Sequence, residues 1–170
     1  MSDQTMSDQT VNDQTVNDQT VSDQTSELGE LTFTRVFDAP RQLVFRCMTE
    51  PEHLTHFWGP IGVSTPIENI TIDPRPGGVF ETVMVNDADG SEYPSRGVFV
   101  EVVEPETLVW SEPDSGMTTT STFVDLGDGR TEVLIHQTNV PEQYRSPESQ
   151  AGFLSSLDRF AAYLATVQAG

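Results

Sequence analysis

The stretch Ser146–Val167, SPESQAGFLSSLDRFAAYLATV, constrains the fold more than any other part of the chain. Phe153, Leu154, Leu157, Phe160, Ala161, Leu164 and Val167 recur at the i, i+3, i+4, i+7 spacing of a helix with one buried stripe. Asp158, Arg159 and Thr166 fall off that stripe. Ser146 is placed to cap free backbone N–H groups, and Pro147 takes the first helical position, where no N–H is needed. Such a helix runs roughly 30 Å, the width of a whole small sheet. Its stripe has to be covered by the strands that precede it.

Those strands are visible as β-rich runs between turns. LTFTRVF (residues 31–37) reads as a first strand, after which Asp38-Ala39-Pro40 opens a helix through Met48. Thr49 and Glu52 have the spacing of a capping box, which predicts a second short helix ending at Gly59-Pro60. Then come PIENITI, GVFETVMV, SRGVFVEVV, TLVWSE, MTTTSTFVDL and TEVLIHQTNV, at the spacing of an antiparallel meander. Asp87-Ala88-Asp89-Gly90 and Gly127-Asp128-Gly129 mark its clearest turns. Alternation puts Phe80, Thr82 and Met84 opposite Glu81, and Val98, Val100 and Val102 opposite Glu101, so both sets are expected to face the closing helix. Leu108 and Trp110 share a face with Glu106 and Glu112, and Trp110 is expected inward. The fold class is α+β: an antiparallel sheet, two short helices after the first strand, and a long helix laid over the sheet.

Residues 1–25 are five pentapeptides, MSDQT twice, VNDQT twice and VSDQT. Each offers at most one apolar side chain, too little to offset the entropy of ordering it, so residues 1–27 are expected to be a disordered acidic tail. Residues 28–170 are the size of one domain. The chain carries 27 Asp and Glu against 8 Lys and Arg, with no lysine at all, for a net charge of −19. Such a field repels phosphate backbones and anionic lipid, and no arginine cluster interrupts it; neither nucleic acid nor a membrane is an expected partner. The acidity serves solubility or adaptation to a salt-rich interior, where screening within about 3 Å at 1 M makes crowded carboxylates tolerable. The lone Cys47 excludes an intramolecular disulfide and sits among Leu43, Val44, Phe45 and Met48 as a small core residue. Without an 18-residue apolar run or a secretion signal, the protein is expected in the cytoplasm, as a monomer or homodimer.

FDAPRQLVF, TEPEHLTHFWGP, RPGGVFE, GVFVEVVEPETLVW and GFLSSLDRFAAYL, in this order, resemble the SRPBCC superfamily of START, Bet v 1 and polyketide-cyclase-like proteins. The branch they look like is the domain related to the C-terminal part of the activator of Hsp90 ATPase. The resemblance spans about residues 31–167; Phe153 departs from it, since many relatives carry tryptophan after this glycine. It implies a helix-grip fold, a curved antiparallel sheet wrapped around the C-terminal helix with a cavity between them. It also implies a chaperone as a conceivable partner, although ATPase activation is not carried over, because this chain lacks the activator's N-terminal part.

A cavity so placed would be lined by Phe80, Met84, Trp110, Phe153, Leu157 and Phe160, with Phe57 and Trp58 as a lid. These walls suit a hydrophobic or aromatic small molecule or lipid held by shape. The same side chains serve equally well as plain core. Chemistry is sparse. His53 and His56 are three residues apart near Glu50 and Glu52, but no third ligand is fixed by spacing, so no metal is expected. His136 is a weak candidate acid or base if it points inward, with Tyr93, Glu68 or Thr82 as partners, and outward if it alternates with the core face. Asp87–Gly90 lacks the spacing of a calcium loop, and Arg75-Pro76-Gly77-Gly78 lacks the lysine of a phosphate loop. No cofactor is called for. Three roles follow: a non-catalytic binder of a hydrophobic molecule, a chaperone-associated or stress-response protein, and a cyclase, aromatase or hydrolase using the same cavity.

Overall fold

A computed structural model describes residues 29–169, so the pentapeptide repeat and the expected tail lie outside the described residues. Strand β1 (Gly29–Phe37) leads into two short helices, α1 (Arg41–Cys47) and α2 (Pro51–Leu54). Strands β2 (Val63–Ser64), β3 (Ile70–Ile72), β4 (Val79–Asn86), β5 (Glu92–Val103), β6 (Thr107–Glu112), β7 (Met117–Asp125) and β8 (Thr131–Val140) follow, and α3 (Pro147–Ala169) closes. The strands make one curved antiparallel sheet in the order β1-β8-β7-β6-β5-β4-β2, with β3 also paired to β4. Consecutive strands from β4 to β8 are neighbours, and β1 adds to β8 with Phe33 opposite Ile135. This is the helix-grip arrangement. Among the described residues no helix is long and apolar enough to cross a membrane.

Local chemistry explains the turns. At the β4–β5 turn, Asn86 and Asp89 carboxamide and carboxylate oxygens accept from the N–H groups of Ala88 and Ser91, at 2.8 and 2.9 Å. At the β7–β8 turn Asp125 accepts from Gly127 N–H at 2.8 Å. Ahead of β4, a Cβ on Gly78 would run into the carbonyl of Asp73, so only glycine lets the chain double back there. The N–H of Phe99 donates to the Gly78 carbonyl and that of Gly77 to the Phe99 carbonyl, both at 2.8 Å, which ties this loop to β5.

Helix α3 begins as its sequence requires: Ser146 Oγ accepts from the Ser149 N–H at 3.1 Å, and Pro147 is the first helical residue. Leu157, Phe160 and Leu164 are buried, and Phe153 is half-buried. Phe153 meets Phe33 with ring centroids 4.5 Å apart, and Phe160 meets Phe37 at 4.8 Å. Leu154, counted in the stripe, is 41% exposed. It sits about 100° round the helix from Phe153, on the flank of a seat centred on 153, 157, 160 and 164.

Both edges of that seat are fastened by charge. Arg35 on β1 pairs with Asp158 at 2.9 Å. On the other edge Arg159 Nη1 donates to the carbonyls of Gly59, Pro60 and Val63 at 2.8, 3.0 and 2.9 Å. Ser155 Oγ accepts from the Ile61 N–H of the same loop at 3.1 Å.

Three local expectations change. Thr49 does not cap α2: its hydroxyl donates back to the carbonyls of Phe45 and Arg46, and Glu50 holds the cap position without a side-chain bond. PIENITI is a single 3-10 turn (Ile67–Asn69) before the three-residue β3 rather than one strand. In β5 the pairing slips between Phe99 and Glu101, a bulge at Val100. Phe99 is therefore buried, Val100 is 58% exposed, and only Val102 of the expected inward set turns in after the bulge, half-buried.

Removing the Phe160 ring should cost roughly 3–5 kcal/mol, as for other buried aromatic truncations. Phe160→Ala should thus lower the urea midpoint strongly, while Leu154→Ala should cost about 0.5 kcal/mol or less. Equal losses would place the seat on another face of the helix.

Candidate functional site

The face of the sheet turned toward α3 is built in rungs by the pairing register. Met117 and Glu112 lie opposite each other on β7 and β6. One rung along are Gln137, Thr119 and Trp110, and the next holds Ile135, Ser121 and Leu108. Trp110 continues across to Phe99 on β5. Phe80, Phe99, Trp110 and Trp58 form one aromatic group, with centroids of 5.1 Å for Trp58–Phe80, 5.3 Å for Phe80–Trp110 and 6.5 Å for Trp58–Trp110. Trp58 is half-buried, and its carbonyl is held by the Thr65 hydroxyl at 2.8 Å. Met84 stands beside the turn at Gly59, where a Cβ would come within 3.0 Å of its sulfur.

Seven of the eight expected lining residues divide into two sets. Trp58, Phe80, Met84 and Trp110 are on the sheet side, with Phe80 and Trp110 buried. Phe153, Leu157 and Phe160 belong to the helix stripe. Phe57, expected as a lid, is instead buried and stacked on Phe160 at 4.1 Å, because the hydrogen-bonded turn after α2 points it down into the helix seat.

Polar groups interrupt this inner face. Thr82 and Thr119 are buried, and Gln137 Nε2 donates to Thr119 Oγ1 at 3.3 Å. Ser121 is fully buried and its hydroxyl has no hydrogen-bond partner in the protein. Leaving such a group unmatched costs about 1–3 kcal/mol. The Glu112 carboxyl, half-buried at the end of β6, is raised above the usual carboxylate range by burial and, secondarily, by the charge of Asp114. Sequence reasoning put Glu112 on the Trp110 face without a role and passed over Thr119, Ser121 and Gln137. The signal was present, since Thr119 and Ser121 alternate in phase with Met117 and Phe123, and Gln137 with Val133 and Ile135.

His136 faces the other way. It is exposed, and its Nε2 lies 3.0 Å from Glu30 Oε1 on the outer surface. The strand alternation that buries Val133 and Ile135 turns it out, which removes it as an inward acid or base. Tyr93 and Glu68 are exposed as well. His53 shares a 2.6 Å hydrogen bond between Nδ1 and the Tyr163 hydroxyl, and its Nε2 lies 3.5 Å from Glu50. His56 stacks on the Tyr163 ring at 4.8 Å. Among the described residues no three His, Cys, Asp or Glu side chains are arranged to hold a metal ion.

With the helix seated in the sheet and the loop motifs in place, the comparison with known families is decisive. A model of the family described as activator of Hsp90 ATPase homolog 1-like protein matches residues 38–165. The chain belongs to this family. Solved structures of similar proteins repeat the fold. A Chromobacterium violaceum protein, CV1439, is 26% identical over 78% of this chain and 95% of its own, with a TM-score of 0.72. A Nitrosomonas europaea protein, NE0264, is also 26% identical, over 84% and 97%, with a TM-score of 0.71. The AHSA1 protein of Silicibacter pomeroyi matches at 23% identity over 81% and 98%, TM-score 0.68, which speaks for the fold alone. No curated protein matches the chain.

Cys47, fully buried in this family fold, has its thiol pushed up to about 11, chiefly by burial, with Arg46 opposing and Glu50 adding. It should stay unlabelled by a thiol reagent at pH 7.5 in the folded protein and react fully in urea. Rapid labelling of the native chain would contradict its place in the core.

Proposed function

We propose that the protein binds a small, mainly apolar molecule between the inner face of the sheet and α3, without transforming it. The observation that carries this reading is Ser121, a fully buried hydroxyl with no protein partner in the middle of a face that otherwise serves as core. A face meant only for packing has no use for Ser121, Thr119, Gln137 and Glu112 on adjoining strands. A ligand site needs a few such groups among aromatic walls, and Trp58, Phe80, Phe99 and Trp110 supply the walls. Catalysis loses its clearest candidate with His136 on the outer surface.

The family's description favours one other reading, a chaperone-associated role acting through the outer surface. Incubating the full chain with a cell extract and measuring it by native mass spectrometry separates the two. A bound small molecule at one per chain, lost in Ser121→Phe, is the result expected here. An unliganded chain together with chaperone enrichment in a pull-down would favour the surface role.

A further inference from the structure

The inner face carries a charge pattern that its aromatic walls alone do not explain. Arg35 is paired with Asp158, and Arg159 is given to three backbone carbonyls. Among the described residues, ion pairs join Arg35, Arg75, Arg96, Arg130, His53 and His136 to other carboxylates, and Glu112 is in none of them. Its carboxylate stands two residues beyond Trp110 on the same side of β6, next to Met117. Trp110 lies edge-on to Phe80 and Phe99, and Trp58 completes the group. A half-buried carboxylate beside aromatic rings is the chemistry that receives an organic cation.

Resting on the binding reading above, we propose that the ligand is a hydrophobic amine, its protonated nitrogen held by Glu112 against the Trp110 ring. Its apolar body runs along β7 toward Ser121, four residues from Met117 and so roughly 13 Å away. The Ser121 hydroxyl meets a second polar group at that far end. Burial and Asp114 make the Glu112 charge costly, and an ammonium partner relieves that cost. The net charge of −19 draws cations toward the protein and disfavours anions. Fatty acids and phospholipids fit poorly, because their anionic heads would meet the Glu112 carboxylate.

Titration calorimetry of the full chain with 4-phenylbutylamine, 4-phenylbutan-1-ol and 4-phenylbutanoic acid tests this, since the three probes share one body and differ in head group. The amine should bind about tenfold or more tighter than the alcohol, and the acid more weakly than either. Glu112→Gln should bring amine and alcohol to within about twofold of each other. An acid or alcohol that matches the amine on the unaltered chain overturns the amine proposal and leaves inner-face binding standing. A head-group preference that survives in a folded Glu112→Gln protein also overturns it. No binding by any of the three removes both readings.

Discussion

One long helix can lie in the hollow of this sheet only if the loop beside it has somewhere to put its carbonyls. Residues 59–63 turn sharply and leave three of them, those of Gly59, Pro60 and Val63, aimed at α3, and the single Nη1 of Arg159 takes all three. Hydrogen bonds to a charged donor are the stronger kind, and a buried carbonyl without a partner costs about as much as the bond itself. On the opposite edge Arg35 and Asp158 close the seat. Between the two, Phe160 stacks on Phe57 and meets Phe37 at a tilt. The helix is thus held by two polar edges and an aromatic centre. Toward its N-terminal end Phe153 is only half-buried.

That asymmetry locates the functional reading. Toward the C-terminal end of α3 the inner face is closed by Phe57, Phe160, Leu164 and the His53–Tyr163 bond. Toward the N-terminal end the rungs of β6, β7 and β8 present Glu112, Thr119, Gln137 and Ser121 instead of further aliphatics. Packing energy alone would favour valine or leucine at these positions. Polar residues there are consistent with a face that trades some stability for recognition.

Much of this was legible in the sequence because it is periodic. The stripe 153, 157, 160, 164, the Ser146-Pro147 start, and the inward Phe80 and Thr82 followed from spacing alone. What was not legible depends on partners. The bulge at Val100 exists only as a mismatch between β5 and β6, so Glu101 gave the wrong phase for Val98 and Val100 and hid Phe99. Thr49 matched a capping pattern but found the carbonyls ending α1 closer at hand. The polar inner positions were hidden for another reason. Hydrophobicity marks a core face, and threonine, serine or glutamine on that face lowers the contrast there.

Nuclear Overhauser contacts in the full-length protein give the most direct check on the gripped helix. The account predicts cross-peaks between the Phe153 and Phe33 rings and between the Phe160 and Phe37 rings, whose centroids lie 4.5 and 4.8 Å apart. Absence of both sets, with α3 amides exchanging as fast as those of an undocked helix, would contradict it.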